Sequence, residues 1–227
     1  MTKPILACAA FALLSACSSG PKETKATPSP AEEQPKPLVA PAVFRARFDT
    51  TKGPFVIEVH RDWAPLGADR FYQLIHENYY NGAGIYRVVR GFIVQFGINK
   101  SPYQTAHWSV MTIADDPVKE HNTRGTVTFA SAGPNTRTTE IFINLTDNSS
   151  KLDNQGFSPF GMVVEGMRTA VDRFYAGYGD LPQMGGRGPD PGQITSQGNV
   201  YLQTQFPELD YIKTAELEGS PSATPAP

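Results

Sequence analysis

Residues 86–97, Tyr-Arg-Val-Val-Arg-Gly-Phe-Ile-Val-Gln-Phe-Gly, constrain this chain more than any other stretch. Two apolar runs flank Arg90-Gly91, a pattern that predicts two short strands joined by a turn. Side chains alternate faces along a strand, so Ile93 and Gln95 share one face while Phe92, Val94 and Phe96 share the other. If the turn at Arg90-Gly91 curls Phe92 inward, then Arg87, Phe92, Ile93 and Gln95 line one pocket, with a cation and an amide beside an apolar floor. A buried guanidinium needs partners and serves packing poorly, so Arg87 and Gln95 read as functional groups. Phe92, Ile93, Phe129, Phe142, Leu152 and Phe157 also fit a barrel core, because barrels are filled by such side chains. Residues 125–143 repeat the style, as strand, Gly-Pro-Asn turn and strand.

Elsewhere the periodicity predicts strands near Val43–Asp49 and Pro54–His60, joined by Thr-Thr-Lys-Gly as a hairpin turn. A helix fits Pro65 to Glu77, with Leu66, Phe71, Leu74 and Ile75 on one side and Pro65 near its start. Further strands are expected near 84–89, 92–98, 125–131, 140–145 and 160–164, a second helix from Met167 to Tyr175, and a last strand around Asn199–Gln203. Residues 99–124, with Trp108, Asp115 and Asp116, form a long insertion between strands. Many short strands with two helices suggest an antiparallel barrel capped at its ends, although periodicity fits a sandwich equally well. No long repeat period is visible.

Arg87-Val-Val-Arg-Gly-Phe-Ile-Val-Gln95 resembles the Arg-x-x-x-Gly-Phe-x-x-Gln signature of the cyclophilin family of peptidyl-prolyl isomerases. Ala130-Ser-Ala-Gly-Pro-Asn-Thr136 and Glu140-Ile-Phe-Ile143 resemble that family's next block. A third, from Lys151 through Leu-Asp and Phe160-Gly-Met-Val-Val-Glu-Gly-Met167, follows in the right order. The likeness spans roughly residues 43 to 200, and the Gly-Pro-rich tail is most similar to the secreted bacterial lipoprotein branch. The resemblance implies a mainly β fold, a closed antiparallel eight-stranded cyclophilin-like barrel capped by two helices, over residues 42–216.

It also implies isomerisation of X-Pro bonds without cofactor or metal. Arg87 would hydrogen-bond the proline nitrogen and Gln95 would orient Arg87. Phe92, Ile93, Phe142 and Leu152 would grip the proline ring, and the backbone near Ala130, Ser131 and Ala132 would hold the peptide extended. Three positions depart from the family pattern. Glu140 stands where Gln is usual, which implies modestly altered activity. The rim Trp of many cyclophilins falls at Ser150 or Lys151, which implies weak cyclosporin binding. Phe157 replaces a pocket His and makes that wall more apolar.

Residues 1–16 read as a lipoprotein signal peptide: Lys3, an apolar run from Ile5 to Leu14, then Leu14-Ser-Ala-Cys17. The apolar run is too short to span a bilayer as a helix. Cys17 would carry lipid, tethering a soluble domain to a membrane surface, with a cleaved soluble signal peptide as the rival. Ser18 after the cysteine favours the outer membrane of a two-membrane cell. Cys8 and Cys17 are the two cysteines, so a mature domain would fold without a disulfide. The remainder of 17–41, rich in Pro, Lys, Glu, Ser and Thr, reads as a disordered linker, and 217–227 as a disordered tail.

A net charge of −2 without any Lys/Arg cluster argues against nucleic acid as a partner. His60, His76, His107 and His121 have neither His-x-His nor His-Glu-x-x-His spacing, so no metal motif is present. Asp115-Asp116 reads as two solvated residues in a polar loop. Met184 to Gly192 lacks the phosphate-loop pattern and reads as a mobile surface loop. Ser131 has no Gly-x-Ser-x-Gly context, which sets aside serine hydrolysis.

The reading is therefore a monomeric, lipid-anchored prolyl isomerase facing the periplasm and acting on unfolded or partly folded proteins. The competing class is a catalytically weak module that binds Pro-containing segments of a partner. A purely structural lipoprotein leaves Arg87 and Gln95 unexplained.

Overall fold

The computed structural model describes residues 38–219. The expectations for the signal peptide, Cys17, the linker as far as residue 37 and the tail from residue 220 lie outside the described residues.

Among the described residues eight antiparallel strands form one sheet: β1 Val43–Thr50, β2 Phe55–His60, β3 Arg87–Val89, β4 Ile93–Phe96, β5 Thr126–Phe129, β6 Ile141–Asn144, β7 Pro159–Glu165 and β8 Ile212–Leu217. Their order is β3-β4-β6-β5-β7-β2-β1-β8. Alternation sets the inner face. In β1, Ala46 and Phe48 are fully buried while Arg45 and Arg47 carry exposed salt bridges, and Phe48 stacks on its β2 partner Phe55 at 4.9 Å.

The expected closed barrel is an open half-barrel. Its ladder ends at β3 and β8, and β3 is only three residues long. The chain before β3 leaves the ladder, and among the described residues only a single bridge, Gly84 to Tyr211, spans the gap. Backbone hydrogen bonds from Ile85 to Asp210 (2.8 Å) and from Ile212 to Ala83 (2.9 Å) stitch the edges there.

Helix α1 (Pro65–His76) lies over the core, with Pro65 in its first turn where a missing N–H is harmless. Gly67, Ala68, Phe71, Leu74 and Ile75 are buried. Leu66, expected on that face, is 43% exposed; the buried stripe passes through Ala68 instead. The Leu66 and Gly67 N–H groups donate to the Asp116 carboxylate at 3.1 and 2.9 Å. Asp116 is accordingly buried and paired with Arg137, not solvated, while Asp115 bonds the Asn135 backbone.

Three further expectations change. The insertion at 99–124 contains a helix, α2 (Pro102–Ser109). Residues 167–175 form turns and a 3-10 segment, Val171–Arg173, rather than a capping helix. After a short α3 (Ser149–Leu152), the chain makes α4 (Pro191–Gln197) and α5 (Asn199–Gln205), so the supposed last strand is helical and β8 takes its place. Within α5, Leu202 is buried while Val200 is 70% exposed. Among the described residues no helix is long and apolar enough to cross a membrane.

Candidate active site

Register creates the site. Arg87 on β3 faces Gln95 on β4, and Gln95 faces Phe142 on β6, so three side chains stand in a row across neighbouring strands. They occupy the sheet's outer face, while Val94, Phe96, Ile141 and Ile143 point into the main core. Gly91 takes φ +70° at the turn, a left-handed conformation that glycine adopts without strain. The turn brings Phe92 back toward Arg87, whose guanidinium carbon lies 5.8 Å from the ring centre.

Ile93, Phe142 and Leu152 form an apolar cluster separate from the main core, with Phe92, Ala130 and Phe157 against it. Phe142 and Phe157 meet edge to face at 5.6 Å. Phe129 belongs elsewhere: it is fully buried in the main core. The phenylalanines of the sequence thus divide between core and pocket. A groove of about 830 Å3 is lined by Arg87, Phe92, Ile93, Gln95, Ala130, Ser131, Ala132, Glu140, Phe142, Leu152 and Phe157, all of the expected site residues within the described chain. Ser150 and Lys151 lie on its rim, where the Lys151 ammonium is 5.9 Å from the Phe92 ring.

A chain of polar contacts runs beneath the groove. Arg87 donates from Nη1 to Gln95 Oε1 at 2.8 Å and from Nε to Asp180 Oδ1 at 2.7 Å. Gln95 Nε2 donates to Glu140 Oε2 at 3.0 Å, and the Tyr86 hydroxyl donates to the same oxygen. This arrangement fixes the amide, since only one orientation of Gln95 accepts from the arginine while donating to the carboxylate. Burial pushes the Glu140 carboxyl above its ordinary range, against the hydrogen bonds of Tyr86 and Gln95 and the nearby Arg87 charge. Burial, and then the Glu140 charge, push the Tyr86 hydroxyl well up. Glu140 therefore reaches Arg87 through Gln95.

The backbone expected to hold a peptide is partly engaged already. Ala130 N–H donates to the Glu140 carbonyl at 2.9 Å and Ala132 N–H to the Thr136 hydroxyl at 2.9 Å. The peptide groups of Ser131 have no such partner among the described residues.

A rod of buried amides supports the floor. Asn148 Nδ2 donates to the Phe92 carbonyl at 2.9 Å and to Asn144 Oδ1 at 2.8 Å. Asn144 donates to Asn122 at 3.1 Å, and Asn122 donates to Asp153 and to the Phe157 carbonyl, both at 2.8 Å. Burial alone would raise the Asp153 carboxyl, but the bonds from Asn122 and His121 together hold it below its usual range. Two pocket aromatics are thus tied by their carbonyls to one internal network. No sequence pattern marks these asparagines. Tyr86, Thr136, Thr138, Asp180, Leu181, Gln183 and Met184 are not among the expected site residues, although all but Tyr86 and Asp180 line the groove.

The family model described as Cyclophilin type peptidyl-prolyl cis-trans isomerase/CLD matches residues 45–177. A peptidyl-prolyl cis-trans isomerase of Acinetobacter baylyi is 32% identical over 52% of this chain and 65% of its own length. Peptidyl-prolyl cis-trans isomerase CYP65 of Arabidopsis thaliana is 34% identical over 54% of this chain, which spans only 21% of that protein. Peptidyl-prolyl cis-trans isomerase-like 3 of Dictyostelium discoideum is 30% identical over 52% of this chain and 74% of its own. In structure, a cyclophilin type peptidyl-prolyl cis-trans isomerase of Cryptosporidium parvum superposes with a TM-score of 0.55, covering 79% of this chain and 99% of the other. At 20% identity that likeness concerns the fold.

Proposed function

The chain belongs to the cyclophilin-type peptidyl-prolyl cis-trans isomerase family, and we propose that it accelerates cis/trans exchange of X-Pro bonds in unfolded or partly folded proteins. One observation carries this reading: a guanidinium held at the edge of a preformed apolar groove, with one nitrogen, Nη2, left without a hydrogen-bond partner among the described residues.

Amide resonance keeps the X-Pro bond planar behind a barrier of about 18–20 kcal/mol. In the twisted state that resonance is lost and the proline nitrogen becomes pyramidal, its lone pair now localised and able to accept a hydrogen bond. The Arg87 fork is permanently charged and planar, so it donates without proton transfer. The apolar walls formed by Phe92, Ile93, Phe142, Leu152 and Phe157 seat the proline ring and exclude water, which strengthens the donor's effect. The Ser131 peptide groups are available to hold an extended backbone. A hundred-thousandfold gain requires only about 7 kcal/mol of preferential binding to the twisted state, and no nucleophile.

Cys17 and the preceding apolar run support a lipid anchor in the cell envelope facing the periplasm, with the outer membrane favoured by Ser18. Labelled fatty acid that enters the wild type but not Cys17→Ala supports the anchor; equal labelling removes it.

The deciding measurement is the exchange rate of an Ala-Pro peptide with wild type and Arg87→Ala. A loss of at least about tenfold in the variant supports an arginine-assisted isomerase. A folded wild type that leaves exchange unchanged supports instead a module that binds Pro-containing segments of a partner.

A further inference from the structure

Asp180 lies beyond the stretch 45–177 that matches the family, yet its carboxylate holds the arginine of the groove at 2.7 Å. The same oxygen, Oδ1, accepts the Leu181 N–H at 2.7 Å, so the acceptor is itself fixed by backbone. A guanidinium presents its donors in one plane. Gln95 takes Nη1 and Asp180 takes Nε, two different directions in that plane. One anchor permits rotation about its own bond; two define the plane and leave Nη2 as the remaining donor of a side chain that lines the groove.

The glycine-rich run set aside as a mobile loop explains how Asp180 arrives there. Met184 and Gly186 donate to the Leu181 carbonyl, both at 2.9 Å, and Gly188 donates to the Asp180 carbonyl at 2.8 Å. The chain therefore folds back onto Asp180 as a hydrogen-bonded turn. A Cβ on Gly186 would sit 2.0 Å from the Asp180 carbonyl oxygen, and one on Gly188 2.8 Å from it. Any side chain at Gly186 must push the turn away. Leu181 anchors the turn in a second apolar cluster with Tyr86 and Ile98, while Gln183 and Met184 join the groove wall.

We infer that Asp180, presented by the glycine-packed turn 181–188, is a positioning residue that locks Arg87 in the orientation needed for turnover. The inference rests on the isomerase reading above. Its effect falls on the twisted state rather than on substrate capture, because the side chains that seat the proline ring, Phe92, Ile93, Phe142, Leu152 and Phe157, lie on other segments of the chain.

The test uses the full chain with Asp180→Ala, Asp180→Asn and Gly186→Ala, each shown to be folded by its thermal melt. Nuclear magnetic resonance line shapes of an Ala-Pro peptide separate kcat from KM. Asp180→Ala should lower kcat about tenfold, the worth of one charge-assisted hydrogen bond, with KM changed less than about twofold. Asp180→Asn, which keeps the acceptor oxygen, should recover part of the loss, and Gly186→Ala should lower kcat as Asp180→Ala does while also raising KM, because it displaces Gln183 and Met184 of the groove wall. In an Arg87→Ala background Asp180→Ala should have no further effect. Independently of turnover, exchange of the Arg87 Nε proton with water should quicken about tenfold in Asp180→Ala. A kcat within twofold of wild type, with an unchanged Nε proton, overturns the inference while leaving the isomerase reading intact. If the wild type itself does not catalyse, that reading fails, and the Nε proton alone decides whether Asp180 positions the arginine.

Discussion

The Tyr86 hydroxyl and the Glu140 carboxylate meet beneath the groove, and the carboxylate oxygen that accepts from Tyr86 also accepts from the Gln95 amide to which Arg87 donates. The carboxylate is therefore one partner removed from the arginine.

Burial raises the Glu140 carboxyl above its ordinary value. The folded state then binds this proton more readily than the unfolded state, so stability falls as pH rises from the ordinary carboxylate range to the raised value. Glu140→Gln removes that dependence and should melt higher than wild type above the window. Its turnover should stay within about threefold, because the new amide oxygen can accept both existing bonds. Melting curves from about pH 4 to pH 8 check this. A wild type that gains stability through the window, relative to the variant, refutes it.

Phe129 and Phe142 are both buried aromatics one strand apart, with opposite consequences. Phe129→Ala opens a cavity in the main core and should cost about 3–5 kcal/mol, leaving kcat per folded molecule unchanged. Phe142→Ala enlarges an existing groove, so its stability cost should be smaller, about 1–3 kcal/mol, while KM for a proline peptide rises at least about fivefold. Denaturant melts beside steady-state rates separate the two. Equal effects on KM would show that Phe142 does not hold substrate.

Asn144 has no exposed surface and links Asn122, Thr126 and Asn148. Asn144→Ala strands buried partners and should cost about 2–4 kcal/mol. Because Asn148 also holds the Phe92 carbonyl, catalytic efficiency should fall as well. A stable variant with wild-type kcat/KM would show that the amide rod is independent of the groove.

Lys151 occupies the rim over Phe92, and the resemblance to the family places a rim tryptophan at Ser150 or Lys151. An ammonium presents little apolar area, so cyclosporin should inhibit weakly, and Lys151→Trp should tighten inhibition about tenfold or more by adding buried aromatic surface. Tight inhibition of the wild type would mean that other walls suffice.

The strand pair at 87–96 was legible because alternation is a local property: Ile93 and Gln95 must share a face whatever surrounds them. The groove residues followed, including the return of Phe92 through Gly91. Helix α1 was legible from its apolar spacing, apart from Leu66. Residues 199–205 were misread because a seven-residue stretch containing Val, Tyr and Leu carries too little periodicity to separate helix from strand.

By itself the sequence determined the strands that carry Arg87 and Gln95, the faces on which they stand and the apolar residues available to wall a pocket. These depend on neighbours a few positions apart. Tertiary structure alone decided that the sheet stays open between β3 and β8, that Phe129 enters the core while Phe142 faces the groove, and that Asp180 reaches Arg87 from 93 positions away. Each of these is a contact between distant segments, set by which surfaces bury one another once the chain has closed, and no local periodicity encodes it.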